Sequence, residues 1–163
     1  MEINMMLHLP REAVSVPIGR QVLNSCLESL GVTPDTRADI ALALSEACAN
    51  VVMHAGPGEE YEVQVSTTDY MCVIEVVNVG SQDNALAPGD APDGSRIDGF
   101  AVPDRPVPVT AEHGRGLKII DAVTDNLQLT GNKSRGTTVH FEKRLEWLPE
   151  AAGQLLLHAD DGA

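Results

Sequence analysis

Aromatic residues are scarce in this chain: one Trp, two Tyr and two Phe make up 3% of its 163 residues. Modules that bind single-stranded nucleic acid stack bases on aromatic side chains, and this sequence offers few of them. The apolar share of 43% is nevertheless ordinary for a globular protein. We therefore predict one domain with a mostly aliphatic core.

Basic residues are also few, with 11 Lys and Arg against 24 Asp and Glu, which gives a formal net charge of −13. Such a surface repels phosphate backbones, so we expect no direct nucleic-acid partner. A protein partner with a basic face fits better, because complementary fields speed and orient docking. Acidity that merely maintains solubility explains the same charge, since net charge alone does not select a function.

The three cysteines, Cys26, Cys48 and Cys72, are odd in number and no two are close in sequence. Cys48 and Cys72 lie in apolar stretches and are predicted to be buried thiols, which indicates a reducing compartment. The N-terminus shows no basic stretch followed by an apolar run, and no apolar run approaches the ~20 residues of a membrane span. We therefore expect a cytoplasmic protein with no membrane contact.

Hydrophobic periodicity predicts a strand, two helices, two strands, a long loop, a short helix and two closing strands. Gly31 is expected to end the first helix, and Thr33 with Pro34 to begin the second. This order predicts an α+β fold: a two-layer sandwich of one mixed, mostly antiparallel sheet with helices on one face. The predicted elements span 2–9, 15–30, 34–55, 60–67, 71–77, 116–123, 126–130 and 137–143.

Two segments lack core periodicity. Residues 80–112 are rich in Pro, Gly, Asp and Ala, and irregular stretches of about 30 residues in small domains are usually lids, binding loops or disordered insertions. Their position between two glycine motifs favours a lid over 81–112, with a disordered insertion as the alternative. Residues 149–163 are expected to form a flexible tail unless their leucines dock, which assigns the domain to 1–148.

The second predicted helix carries a polar row in which Glu46, Asn50 and His54 are spaced four residues apart. Successive members rotate by only about 40°, so all three lie along one side of the helix. An acid and a carboxamide in one row can hold Mg²⁺, which prefers oxygen ligands and usually comes with substrate phosphates. The acid can also act as a general base. An ordinary solvated face opposite an apolar stripe gives the same pattern.

Glycines mark two further positions. Asn78 and Gly80 follow a buried strand, where glycine lets the backbone approach a bound base closely. His113-Gly114-Arg115-Gly116-Leu117 opens a helix, where main-chain N–H groups and the helix N-terminus favour phosphate. Arg115 can add a charged contact. The spacing fits neither the P-loop nor the Gly-x-Gly-x-x-Gly pattern.

These motifs together resemble a known family. The stretch from Leu44 to Ala55 closely resembles the first ATP-site motif of the GHKL superfamily, which includes gyrase, the large heat-shock chaperone and the sensor histidine kinases. Its serine-glutamate-alanine start and downstream His54 look most like the bacterial anti-sigma factor serine kinases. The run at 113–117 resembles the second glycine motif, and Gly136-Thr137-Thr138-Val139 the closing motif. The resemblance covers about 3–141, in matching order.

The resemblance implies a Bergerat-type ATP-binding fold with ATP and Mg²⁺ as cofactors. Asn50 would coordinate Mg²⁺, and Glu46 would be the candidate base that activates a partner serine or a water. Residues 81–112 would form the ATP lid, and Thr138 would lie near the adenine end. The positions assigned to the nucleotide site are Asn50, Asn78, Gly80, His113, Gly114, Arg115, Gly116, Leu117 and Thr138.

The chain departs from the family pattern after the buried strand. The family normally has Asp-x-Gly-x-Gly there, whereas this chain has Asn78-Val79-Gly80-Ser81-Gln82. An asparagine carbonyl still accepts a hydrogen bond from the adenine amino group, but a neutral acceptor is weaker than a charged one. The departure therefore bears directly on adenine recognition, and the missing glycine bears on the lid hinge.

Three functions follow from the resemblance. The leading one is a regulatory kinase that binds a sigma factor and phosphorylates a serine or threonine of an anti-sigma factor antagonist; family members commonly form homodimers. The alternative is a non-catalytic binding module with weak or no nucleotide binding, and Asn78 is the feature that separates the two. A detached ATPase or histidine-kinase-type domain is disfavoured, because no phosphoacceptor helix is predicted.

Overall fold

Five strands and four helices lie in the part of the chain that the computed structural model describes, residues 2–54, 59–68, 70–79, 114–132 and 136–158. The predicted α+β class and the order of the elements are confirmed. The elements are β1 (Glu2–Pro10), α1 (Ser15–Leu30), α2 (Pro34–His54), β2 (Glu60–Thr68), β3 (Met71–Val79), α3 (Gly114–Val123), β4 (Asn126–Asn132), β5 (Gly136–Arg144) and α4 (Ala152–His158).

The strands form one sheet in the order β1-β2-β3-β5-β4. Every strand pairing within the described residues is antiparallel, so the expectation of a mixed sheet is wrong. The reason is the closing hairpin: β5 inserts between β3 and β4 and runs opposite to both. β2 with β3 and β4 with β5 are consecutive strands, which a short link can join only in an antiparallel pair, whereas α1 and α2 separate β1 from β2.

One face of the sheet is buried beneath the helices. Val63 pairs with Val76, and Val76 pairs with Val139, and all three side chains are fully buried. Alternation along each strand puts every second residue on this face, as the period of two requires. α1 and α2 supply the facing half of the core through Leu23, Leu27, Ile40, Leu44 and Val51. The core is therefore mostly aliphatic, as the sequence predicts.

Local sequence signals set the ends of both long helices. Gly31 ends α1 with φ 85°, the left-handed conformation that glycine adopts at little cost. Before α2, the Thr33 carbonyl accepts from the Arg37 N–H at 3.0 Å, and the Thr33 hydroxyl lies 2.9 Å from that of Thr36. Pro34 is the first residue of α2, as expected of a position whose N–H has no helical partner.

A buried chain of hydrogen bonds ties α1 to the sheet. The Ser15 hydroxyl donates to the Glu12 carbonyl at 2.7 Å, so the Tyr61 hydroxyl, 2.7 Å away, donates to Ser15. Burial raises the pKa of Tyr61 to about 12. The Cys48 thiol also bonds to Tyr61, and burial raises its pKa to about 12 as well. Burial likewise raises the pKa of Cys72 to about 12. All three cysteines are free, and the two predicted to be buried are buried.

The opposite face of the sheet carries a charged cluster around His140. Its Nδ1 lies 2.9 Å from Glu75 Oε1 and its Nε2 lies 3.0 Å from Glu142 Oε1. Carboxylates only accept, so two simultaneous bonds require the doubly protonated imidazolium. Burial lowers the pKa of His140, but the hydrogen bonds and charges of Glu142 and Glu75 outweigh burial, and the net shift is upward.

The C-terminal segment differs from the expected flexible tail, because 152–158 form α4, which packs on α1. A Cβ at Gly153 would lie 2.1 Å from Trp147 Cζ3 and 2.9 Å from the Leu30 carbonyl oxygen, so the helix approaches its neighbours closely. The predicted lid at 81–112 lies outside the described residues. Among the residues that are described, we find no helix with the length and apolar character to cross a membrane.

Candidate functional site

The polar row of α2 lies on a flank of the helix that another helix partly covers. Glu46 and Asn50 are both partly buried, and their neighbours Ala43 and Ala47 are fully buried. A purely solvated face, which was the alternative interpretation of this row, would leave these two side chains exposed. The side chain of His54 is outside the described set, so the row is defined here by Glu46 and Asn50.

α3 covers this flank and runs antiparallel to α2. At its first turn, Gly116 lies against Glu46: a Cβ built at Gly116 would stand 3.0 Å from Glu46 Oε2. At the last turn of α3, the Val123 carbonyl accepts a hydrogen bond from Lys143 Nζ of β5 at 2.8 Å. The same Nζ donates to Asp39 Oδ2 of α2, also at 2.8 Å. Asp39 precedes Glu46 by two helical turns, so contacts at both ends fix the direction of α3 along α2.

The first turn of α3 therefore faces the Glu46 carboxylate. The helix begins at Gly114, two residues earlier than predicted, and its first N–H groups have no partners within the helix. Such a turn carries partial positive charge and favours anions. Arg115 is exposed, whereas Leu117 is 3% exposed and belongs to the core. Leu117 thus anchors α3, while Gly114, Arg115 and Gly116 form the turn itself.

Asn78 is the predicted site residue that the sheet contributes. It lies near the end of β3, is 3% exposed, and pairs in register with the buried Tyr61. Asn78 is two residues after Val76, whose side chain is fully buried. Because residues two apart in a strand point to the same face, Asn78 is on the face that the helices cover. Asn78, Glu46 and Asn50 therefore lie on the same side of the sheet.

The structure does not bring Thr138 to that side. Thr138 pairs with Val77, and the next pair, Val76 with Val139, is fully buried on the helical face. Because successive residues of a strand alternate between faces, Thr138 lies on the face of His140. The family motif predicts that Thr138 lies near the adenine end of the site. Its position on the opposite face of the sheet argues against that assignment. Gly80 and His113 lie outside the described residues.

The donors at this flank fit a magnesium nucleotide. Asn50 offers a carboxamide oxygen and Glu46 a carboxylate, and Mg²⁺ is usually held by one or two such groups together with substrate phosphates. Within the described ranges, no group of three or more His, Cys, Asp or Glu could hold a metal on its own. A metal at Asn50 would therefore need phosphate or water oxygens to complete its coordination.

Two contacts of this site escaped the sequence analysis. The sequence pattern places Lys143 only at the end of a strand, yet Lys143 joins β5 to both α2 and α3. The glycine motif predicts only a phosphate contact for Gly116, although its missing Cβ also makes room for Glu46. Neither partner could be identified from the sequence, because Lys143 and Asp39 are 104 residues apart.

The chain belongs to the histidine kinase-like ATPase domain family, whose model matches residues 9–143. Its relatives include the serine-protein kinase RsbW of Bacillus velezensis, 30% identical over 140 residues that cover 85% of this chain and 84% of that protein. The serine-protein kinase RsbW of Bacillus mycoides is 26% identical over 140 residues, 86% of this chain and 84% of that protein. These relatives confirm the family that the motifs predicted.

Among solved structures, the chain is similar to the crystal structure of the RsbU and RsbW domains of Rv1364c from Mycobacterium tuberculosis. The TM-score is 0.61 with 18% sequence identity, over 88% of this chain. The chain spans 32% of the length of that longer polypeptide. At this identity the likeness concerns the fold, and it agrees with the two-layer α+β architecture described above.

Proposed function

We propose that this chain is an anti-sigma factor with ATP-dependent protein kinase activity. It would sequester a sigma factor and phosphorylate a serine or threonine of an anti-sigma factor antagonist, acting in the cytoplasm. The name serine-protein kinase, carried by relatives that align over most of their length, supports a kinase. The net charge of −13 supports a protein partner with a basic face.

The observation that carries the proposal is the position of Glu46 against the first turn of α3, with Asn50 one helical turn further along α2. In phosphoryl transfer the protein mainly positions groups and stabilises charge, and an acidic residue orients the incoming hydroxyl. Glu46 would orient the antagonist's hydroxyl in this way. Mg²⁺ held at Asn50 would supply charge neutralisation on the phosphates, and the N–H groups of the α3 turn would bind phosphate oxygens.

The remaining roles extend the same proposal. Asn78, on the helical face of the sheet, would accept a hydrogen bond from the adenine amino group. Residues 81–112 would form a lid that closes over ATP, as lids commonly do over substrates. Two copies of the chain would form a homodimer. Each of these roles comes from the family resemblance, and the burial of Asn78 supports the first.

A transfer assay tests the proposal. The protein is incubated with γ-labelled ATP, Mg²⁺ and candidate antagonists from the same genome, and the products are resolved on a gel. Label should appear on an antagonist with the wild type and vanish with Glu46→Gln, which keeps the size of the side chain but removes its charge. ATP affinity and sigma-factor binding should change by less than about threefold, a difference of roughly 0.6 kcal/mol.

The matched control is Glu2→Gln, the same chemical change at the exposed start of β1, an edge strand of the sheet. It should transfer label at the wild-type rate. Transfer that persists in Glu46→Gln would remove Glu46 from the mechanism. No label on any antagonist, while sigma factor still binds, would favour the non-catalytic module and point to Asn78 as the reason.

A further inference from the structure

Gly116 is a glycine whose own backbone does not require glycine. It lies inside α3, and Gly31 is the glycine with a positive φ among the described residues. Glycine is a poorer helix former than alanine, because it loses more backbone freedom when it becomes ordered. Its presence in the first turn of α3 therefore calls for a reason that lies in its surroundings.

The surroundings contain one close neighbour, the Glu46 side chain. A Cβ at Gly116 would stand 3.0 Å from Glu46 Oε2 and 3.9 Å from Glu46 Cβ. The first distance is shorter than an ordinary carbon–oxygen contact, and the second is ordinary. A methyl group at this position would therefore displace the carboxylate end of Glu46 while leaving the base of the side chain where it is.

We propose that Gly116 is a positioning residue: its missing side chain lets the Glu46 carboxylate lie against the first turn of α3. This inference rests on the proposed kinase function, in which Glu46 orients the incoming hydroxyl. Reacting groups tolerate little displacement, since an error of about 1 Å can cost about 100-fold in rate. The few tenths of an ångström that a methyl group imposes should therefore slow transfer.

This role differs from the phosphate contact that the family resemblance assigns to the same glycine. If Gly116 serves only to let phosphate approach the backbone, an added methyl group weakens ATP binding. If it makes room for Glu46, the methyl group moves an oxygen of the base and leaves the backbone N–H in place. The two roles are therefore separated by measuring ATP affinity and the rate of transfer on the same variant.

The experiment compares Gly116→Ala with Gly19→Ala. Gly19 is a matched control, because it is also helical and its added Cβ would likewise stand 3.0 Å from a side-chain end, here Leu9 Cδ1. Three quantities are measured: ATP affinity by titration calorimetry, the rate of label transfer at saturating ATP, and the ¹³C resonance of the Glu46 carboxyl carbon without ATP. Loss of that resonance in Glu46→Gln assigns it.

For Gly116→Ala we expect transfer to fall about four- to tenfold, ATP affinity to stay within about twofold, and the Glu46 resonance to move. Gly19→Ala should leave all three quantities near their wild-type values. In a Glu46→Asp background, whose shorter side chain withdraws from position 116, Gly116→Ala should cost less than about threefold. Non-additive effects of the changes at 116 and 46 are expected of two residues in contact.

Three results would overturn the inference: an ATP affinity that falls in parallel with transfer, a transfer rate that does not change, or a Glu46 resonance that does not move. A wild-type protein that labels no antagonist would instead overturn the proposed kinase function, and the positioning role with it. The resonance, recorded without ATP or antagonist, still decides in that case whether Gly116 and Glu46 are in contact.

Discussion

Asn78→Asp converts the neutral group at the end of β3 into the carboxylate that the family normally carries there. The change is nearly isosteric, so it alters charge with little effect on packing. Asn78 is 3% exposed, and a carboxylate at such a depth loses most of its hydration. The variant should therefore bind ATP more tightly and be less stable without ATP, two effects that can be measured separately.

The loss of stability has an upper bound. Burial disfavours the charged form and raises the pKa of the new carboxyl above its unfolded value of about 3.9. The folded protein can always avoid the buried charge by taking up a proton, which costs about 1.4 kcal/mol per pH unit above 3.9, or about 4 kcal/mol at pH 7. At pH 5 the bound shrinks to about 1.5 kcal/mol.

The sign of the pH dependence follows from the direction of the shift. Because the folded pKa of the new carboxyl is raised, the variant matches the wild type below about pH 4 and loses stability relative to it as the pH rises. For a chain of this size, each kcal/mol lowers Tm by about 2–4 °C. A charged acceptor should tighten ATP binding by about 1 kcal/mol, or about fivefold.

Thermal unfolding from pH 5 to pH 8, together with calorimetric titration of ATP and Mg²⁺, measures both effects. Gln21→Glu is the control, because the same change from amide to carboxylate at an exposed position of α1 should alter neither quantity appreciably. A Tm of Asn78→Asp equal to that of the wild type at pH 8 would contradict the burial argument. Lower stability with unchanged or weaker ATP binding would show that Asn78 does not accept from adenine.

Three further predictions address the site and its scaffold. Asn50→Ala should lose most Mg²⁺-dependent ATP binding with an unchanged circular dichroism spectrum, and unchanged affinity would remove Asn50 from the metal site. Ser15→Ala leaves the buried Tyr61 hydroxyl without its acceptor and should cost about 1–3 kcal/mol; adding Tyr61→Phe should recover part of this loss in denaturant unfolding, and a further loss would contradict the assigned bond direction. His140→Gln should destabilise the protein most below about pH 6.5, and the difference from the wild type should narrow as the pH rises through the raised pKa of His140; a difference that widens with pH would refute the imidazolium.

Much of the fold is encoded by local patterns. Alternation in β2 and the 3.6-residue period of α2 decide which face of each element is apolar, and these patterns are local in the chain. The same geometry puts Glu46 and Asn50 on one side of α2 before any neighbour is known. Gly31 and Pro34 mark helix ends because their own backbone preferences do so. The motif order was sufficient to predict the family.

Tertiary structure decided what these local faces meet. The sequence predicts a short helix after the glycine motif, but its direction along α2 is set by tertiary packing. α3 lies antiparallel to α2, with Gly116 against Glu46 and with Lys143 bonded to Asp39. Likewise, α4 docks where the sequence predicted a flexible tail, because Gly153 fits against Trp147. Periodicity specifies which side of an element is buried, whereas the partner is chosen by contacts between residues far apart in the chain, which no local pattern records.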